Sequence, residues 1–150
     1  MGLQATNAGI DFQQRVSAYM MMLMEFDMDI SLALQLNRND KIKGLNFEAC
    51  ESIDDLVITL DSGKKVYFQM KRTISLSDSV DSEFYGICEQ FVKQYLNRDE
   101  NDIAYILATR SESSKSVTVK LKRILEGIRL AKNLRVVVEV NQEERKICDK

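Results

Sequence analysis

Ile53-Asp54-Asp55-Leu56-Val57-Ile58-Thr59-Leu60, then Asp61-Ser62-Gly63-Lys64-Lys65, then Val66-Tyr67-Phe68-Gln69-Met70-Lys71 is the stretch on which the fold turns. Two β-rich runs flank a glycine-containing turn, which predicts a hairpin. Side chains alternate between the faces of a strand, so Gln69 and Lys71 share one face. Asp55 opens the first strand and can face them. A one-residue change of register would present Asp54 instead. An acid, an amide oxygen and an ammonium meeting across neighbouring strands are costly to bury without a use. The set suits a divalent cation and a phosphodiester.

Upstream, residues 45–50 read as a short strand containing Glu48, with Glu51 just beyond it. Phe12, Val16, Tyr19, Met20 and Leu23 recur at helical spacing and predict a helix over 10–26. Ile30, Leu32, Leu34 and Leu36 alternate like a strand, yet the segment is rich in helix formers and is read as a second helix. Asn37-Arg38-Asn39-Asp40 is a turn. Downstream, Phe84, Ile87, Cys88, Phe91, Val92 and Tyr95 predict one face of a helix over 83–97. Residues 103–108 form a nearly continuous apolar run, as in a strand covered on both faces. A helix over 114–132, with Val117, Leu121, Ile124, Ile128 and Ala131 as its stripe, and a strand over 134–140 complete the pattern. The fold class is α/β, a sandwich with a central mixed sheet flanked by helices. One domain over 1–150 is expected, with a charged end from 141 that frays or joins further chain.

Composition narrows the classes. The 45% hydrophobic and 29% charged residues belong to a globular chain rather than a disordered one. A net charge of −2 leaves the distribution of charge to decide about nucleic acid. Three cysteines, Cys50, Cys88 and Cys148, with no histidine, exclude the common structural zinc patterns and remove the usual base for serine or cysteine catalysis. Cys88 is expected as a small core residue. The greasiest segment, Met20-Met21-Met22-Leu23-Met24, is bracketed too closely by Arg15, Glu25, Asp27 and Asp29 to span a membrane. A reducing cytoplasmic setting is the expectation.

Within the hairpin, Asp55 is the first choice as metal-binding carboxylate and Asp54 its competitor. Gln69 offers a neutral carbonyl oxygen, and Glu48 is the better placed of the upstream acids. Lys71 can hold a phosphate or stabilise developing charge. The plainer alternative makes Asp54-Asp55 a strand-opening turn pair, and Lys64-Lys65 with Lys71-Arg72 a solvated edge that discourages pairing.

The order acid, hairpin, Gln69-Met70-Lys71 resembles the PD-(D/E)xK, or restriction-endonuclease-like, nuclease superfamily. The likeness is nearest to its Mrr-like and bacterial defence-associated branches, which carry glutamine for the usual acid. Gly9-Ile10-Asp11-Phe12-Gln13, with Arg15 and Tyr19, is similar to the opening helix of the defence-associated branch. From that helix Gln13 can approach the site, with no role assigned. Residues 84–95 resemble the helix after the QxK strand, so the likeness covers roughly 9–110. The chain departs from the parent pattern in lacking a Pro-Asp pair and an acid at position 69.

The resemblance implies a restriction-endonuclease-like sandwich and a catalytic set of Asp55, Gln69, Lys71 and Glu48. It implies Mg²⁺ or Mn²⁺ held by Asp55, Glu48 and the Gln69 carbonyl, and double-stranded DNA as partner. It further implies a part in restriction or anti-phage defence, and admits a homo-oligomer and a fused or associated sensor or ATPase domain. A basic stripe of Lys115, Lys122 and Arg129 on the 114–132 helix, with Lys64, Lys65 and Arg72 near the proposed site, is expected to contact phosphates. An ordinary solvated helix face is the plainer reading of that stripe. The chain is therefore read as a metal-dependent endonuclease domain. The alternative is a non-catalytic nucleic-acid-binding or assembly module that keeps the fold.

Overall fold

The computed structural model describes residues 2–34, 36, 39–47, 52–53 and 55–131. The chain runs through α1 (Gly2–Glu25), α2 (Ser31–Leu34), β1 (Ile42–Phe47), β2 (Leu56–Leu60), β3 (Lys65–Lys71), α3 (Glu83–Leu96) and β4 (Asp102–Thr109). A π-helical segment, Ser116–Leu121, then leads into α4 (Lys122–Ala131). The contacts separate two compact units. One comprises Met1–Arg72 with Ile87–Ala108, the other Thr73–Gly86 with the chain from Thr109 onward.

In the first unit the strands form a mixed sheet in the order β1-β2-β3-β4. β2 and β3 make the expected antiparallel hairpin, with Leu56 opposite Phe68 and Ile58 opposite Val66. Its turn closes with the Gly63 N–H on the Leu60 carbonyl at 2.9 Å, and Gly63 takes a φ of 79°. A side chain there would be strained, which is why the turn carries glycine. β1 pairs antiparallel with β2 and holds an irregularity between Ile42 and Gly44. It begins three residues earlier than the alternation predicted, and residues 48–50 lie outside the described part. From β3 the chain crosses through α3 to β4, and the Lys65 N–H meets the Asn101 carbonyl at 2.8 Å beside the starts of both strands.

Alternation sorts the sheet into two faces. Leu56, Ile58, Leu60, Val66, Phe68 and Met70 form one buried layer, on which Met20 and Leu23 of α1 pack with the partly buried Phe12 and Val16. Tyr19, expected in that stripe, is exposed, as are Met21, Met22 and Met24. On the other face Ile53, Val57 and Tyr67 pack with Phe91 of α3 and Tyr105 of β4. The Tyr67 and Phe91 rings lie 5.7 and 6.4 Å from that of Tyr105.

The buried side of α3 is rotated from the expected one. Ile87 and Gln94 are buried, Phe84 and Phe91 are half-buried, and Cys88, Val92 and Tyr95 are exposed. Cys88 is thus not a core residue. Desolvation still raises its thiol above the ordinary value, which disfavours the thiolate.

Between α1 and β1 the chain reverses through Asp27, whose φ of 52° is the left-handed region. The Met28 N–H reaches back to the Leu23 carbonyl at 2.9 Å, the closing bond of a Schellman turn. Asp27 also pairs with Lys41 Nζ, which ties the end of α1 to the start of the sheet. Among the described residues of the segment after it, the helix is α2, where Asp29 Oδ1 accepts the Ser31 N–H at 2.8 Å and the Asp40 N–H at 3.2 Å.

In the second unit, Val117 and Ile124 are buried among the described side chains of the π-helical segment and α4, and the side chains of Ile128 and Ala131 lie outside the described part. The helix expected over 114–132 is therefore present, with a π-helical first part that no sequence period announced. The strand expected over 134–140 lies outside the described residues.

Candidate active site

Extending the β2–β3 register by one pair sets Asp55 opposite Gln69. Their side chains meet there. Gln69 Nε2 donates to Asp55 Oδ2 at 2.8 Å, and the Met70 backbone N–H donates to the same oxygen at 2.5 Å. Asp55 occupies the bend just before β2, at the end of the sheet that α1 passes. From α1, Gln13 Nε2 donates to Asp55 Oδ1 at 3.2 Å. Three N–H donors thus fix one carboxylate, each a charge-assisted bond. The structure brings Asp55 and Gln69 together as expected and gives Gln13 a definite partner.

Gln69 is 3% exposed, and its amide oxygen Oε1 is buried without a hydrogen-bond partner. A buried carbonyl with no donor is unfavourable by about 1–3 kcal/mol, so an orphan beside a carboxylate marks a place for a cation or a water. Asp55 and the Gln69 carbonyl are both hard oxygen donors, which fits Mg²⁺ or Mn²⁺. Among the described residues no group of three or more His, Cys, Asp or Glu side chains is placed to hold a metal. Glu48 and Asp54, the other acids considered, lie outside the described residues. Alternation along β3 sets Lys71 half-buried on the same face as Gln69.

One residue of this site has no counterpart in the sequence reading. Gln94, 4% exposed on α3, accepts the Ser52 N–H with its amide oxygen at 3.2 Å. Ser52 and the fully buried Ile53 lead directly into Asp55, so Gln94 holds the segment that aims the carboxylate. Its only signal was a polar residue seven positions after Ile87, in line with Phe91.

The basic residues are placed less favourably. Lys64 Nζ donates to the Glu100 carbonyl at 2.9 Å, and Lys65 pairs with Asp99 at 3.4 Å. β3 separates Lys65 from Lys71 by about 20 Å at strand rise, so Lys64 and Lys65 sit at the turn end, away from Asp55. Arg72 is exposed immediately after Lys71. In the second unit Lys115 and Lys122 are exposed, and Lys122 lies 3.9 Å from Glu126. The side chain of Arg129 is outside the described part. A cavity of about 290 Å³ in that unit is lined by hydroxyls, among them Ser75, Ser77, Ser82 and Ser113, together with Glu83 and Glu112.

No protein-family model matches the chain, and neither the curated proteins nor the solved structures give a match. No helix among the described residues is long and apolar enough to cross a membrane.

Proposed function

We propose that this chain is a metal-dependent endonuclease domain that hydrolyses DNA phosphodiester bonds in restriction or anti-phage defence. The observation that carries the reading is the orphaned Gln69 oxygen beside a carboxylate held by three N–H donors. Asp55 and Gln69 would hold the cation, with Glu48 as a further candidate. A bound Mg²⁺ or Mn²⁺ supplies Lewis-acid polarisation of a phosphoryl oxygen. Lys71, one alternation beyond Gln69, stabilises negative charge as the phosphorus centre is attacked by water. Gln13 and the Met70 N–H keep the carboxylate aimed. The acid-hairpin-QxK order and its resemblance to PD-(D/E)xK nucleases support the same reading.

One observation favours the alternative of a binding module. Both Asp55 oxygens already accept N–H bonds, so a cation would compete with three donors for the same carboxylate. Plasmid nicking in Mg²⁺ or Mn²⁺ separates the two. Wild-type cleavage abolished by EDTA and reduced on the order of 100-fold or more in Lys71→Ala supports the nuclease. DNA binding with no cleavage in either metal supports the module.

A further inference from the structure

α1 packs on the sheet through Met20 and Leu23 and leaves an apolar stripe on another side. Tyr19, Met22 and Phe26 are 47%, 43% and 70% exposed, with the exposed Met21 and Met24 beside them. The Phe26 N–H still meets the Met22 carbonyl at 3.0 Å, so the stripe keeps helical geometry one residue past α1. With Arg15 before them, Tyr19, Met22 and Phe26 recur at intervals of four, three and four residues. That alternation is the seven-residue repeat through which two helices bury a shared seam. Flexible thioethers beside aromatic rings adapt readily to a partner, and apolar patches of this kind mark interaction sites.

We propose that this stripe is the interface with a second copy of the chain, the two α1 helices packing antiparallel about a two-fold axis beside Met20 and Met21. Charge complementarity selects both the occupant and the direction. The repeat is centred so that Tyr19 of one copy packs against Met22 of the other. The same two-fold brings Arg15 beside Phe26 and Glu25 of the second copy, and symmetry makes that contact twice. Arg15 is exposed, and Asp11, one turn back on the same helix, accepts from its Nε at 3.1 Å. That bond fixes the guanidinium while its other N–H groups can serve a second acid. A guanidinium over an aromatic ring and beside a carboxylate is favourable on both counts. A parallel pair would instead set Arg15 against Arg15 and Glu25 against Glu25, which repel. The interface stands whether or not the site at Asp55 is catalytic.

Sedimentation equilibrium of the whole chain over a concentration series tests this. The wild type should be dimeric at about 50 µM. Phe26→Ser removes a side chain that is exposed in the single chain. It should weaken the dimer on the order of tenfold or more and leave the urea midpoint of the dilute monomer unchanged. Arg15→Glu and Glu25→Arg should each weaken it on the order of tenfold, because attraction becomes repulsion at two symmetric contacts. The double variant Arg15→Glu/Glu25→Arg restores opposite charges across the seam and should recover most of the wild-type affinity. Its contact with Asp11 stays lost, so recovery reports the contact between copies and not helix stability. A wild type that stays monomeric at that concentration would overturn the proposal. So would a dimer unaffected by Phe26→Ser or by either single reversal. Reversals that dissociate the dimer, with no recovery in the double variant, would overturn the antiparallel pairing and the proposal with it.

Discussion

Val66, Phe68 and Met70 leave β3 on one side of the sheet, and Tyr67, Gln69 and Lys71 leave it on the other. The first side is uniformly apolar and buried under α1. The second begins as an aromatic cluster under α3 and turns polar within two residues. Both are largely shielded from water, but only the second contains a buried polar group whose bonding is incomplete. The contrast separates what the strand does for stability from what it offers a ligand. An apolar face can be closed completely, whereas a face that binds something keeps an acceptor in reserve.

Substitutions on the two faces should therefore give different signatures. Phe68→Ala, on the closed face, should cost about 3–5 kcal/mol in urea unfolding. A loss below about 1 kcal/mol would mean that this layer is not the core. Asp55→Ala leaves the buried Gln69 amide and the Met70 N–H without their acceptor, and should cost about 1–3 kcal/mol. Its Mn²⁺ uptake should disappear with a DNA duplex present, and retained uptake would place the metal elsewhere. Gln94→Ala frees the Ser52 N–H and should cost about 1 kcal/mol. Its sharper effect should be weaker Mn²⁺ uptake, through the loosened segment before Asp55. Stability lost with unchanged uptake would confine Gln94 to packing.

The smallest expected effect lies outside both faces, at Asp29. The Ser31 hydroxyl first and the Ser31 N–H next, with lesser help from the Asp40 N–H and the charge of Lys41, hold its carboxyl below the ordinary 3.8 against an opposing desolvation. A carboxyl depressed in the folded state contributes stability that is complete above its unfolded value. That contribution is lost as pH falls through the folded value. The wild type should thus lose slightly more stability than Asp29→Asn below about pH 4, and parallel acid curves would contradict this.

The hairpin was legible because alternation, turn chemistry and β propensity agree over residues 53–71, and the pairing of Asp55 with Gln69 follows from that register. The buried face of α3 was not. Hydrophobicity favoured Cys88, Val92 and Tyr95, whereas the fold buries Gln94 because its amide satisfies the Ser52 N–H. A polar side chain that is inside because it bonds backbone carries no apolar signal. Lys64 and Lys65 misled for a different reason, being near the hairpin in sequence but at the far end of β3 from Asp55. The Gln13 contact spans 42 positions and could be approached only through the resemblance of its helix.

The turn at Asp27 also sets a mechanical tolerance. α1 leaves the sheet there, and Gln13 lies 12 residues before Glu25, a lever of about 18 Å at helical rise. An error of about 5° in the exit angle would move Gln13 by about 1.6 Å over that length, enough to lengthen its 3.2 Å contact with Asp55 beyond bonding. The packing of Phe12, Val16, Met20 and Leu23 along the lever works as a guide rail, converting a hinge at one end into fixed aim at the other.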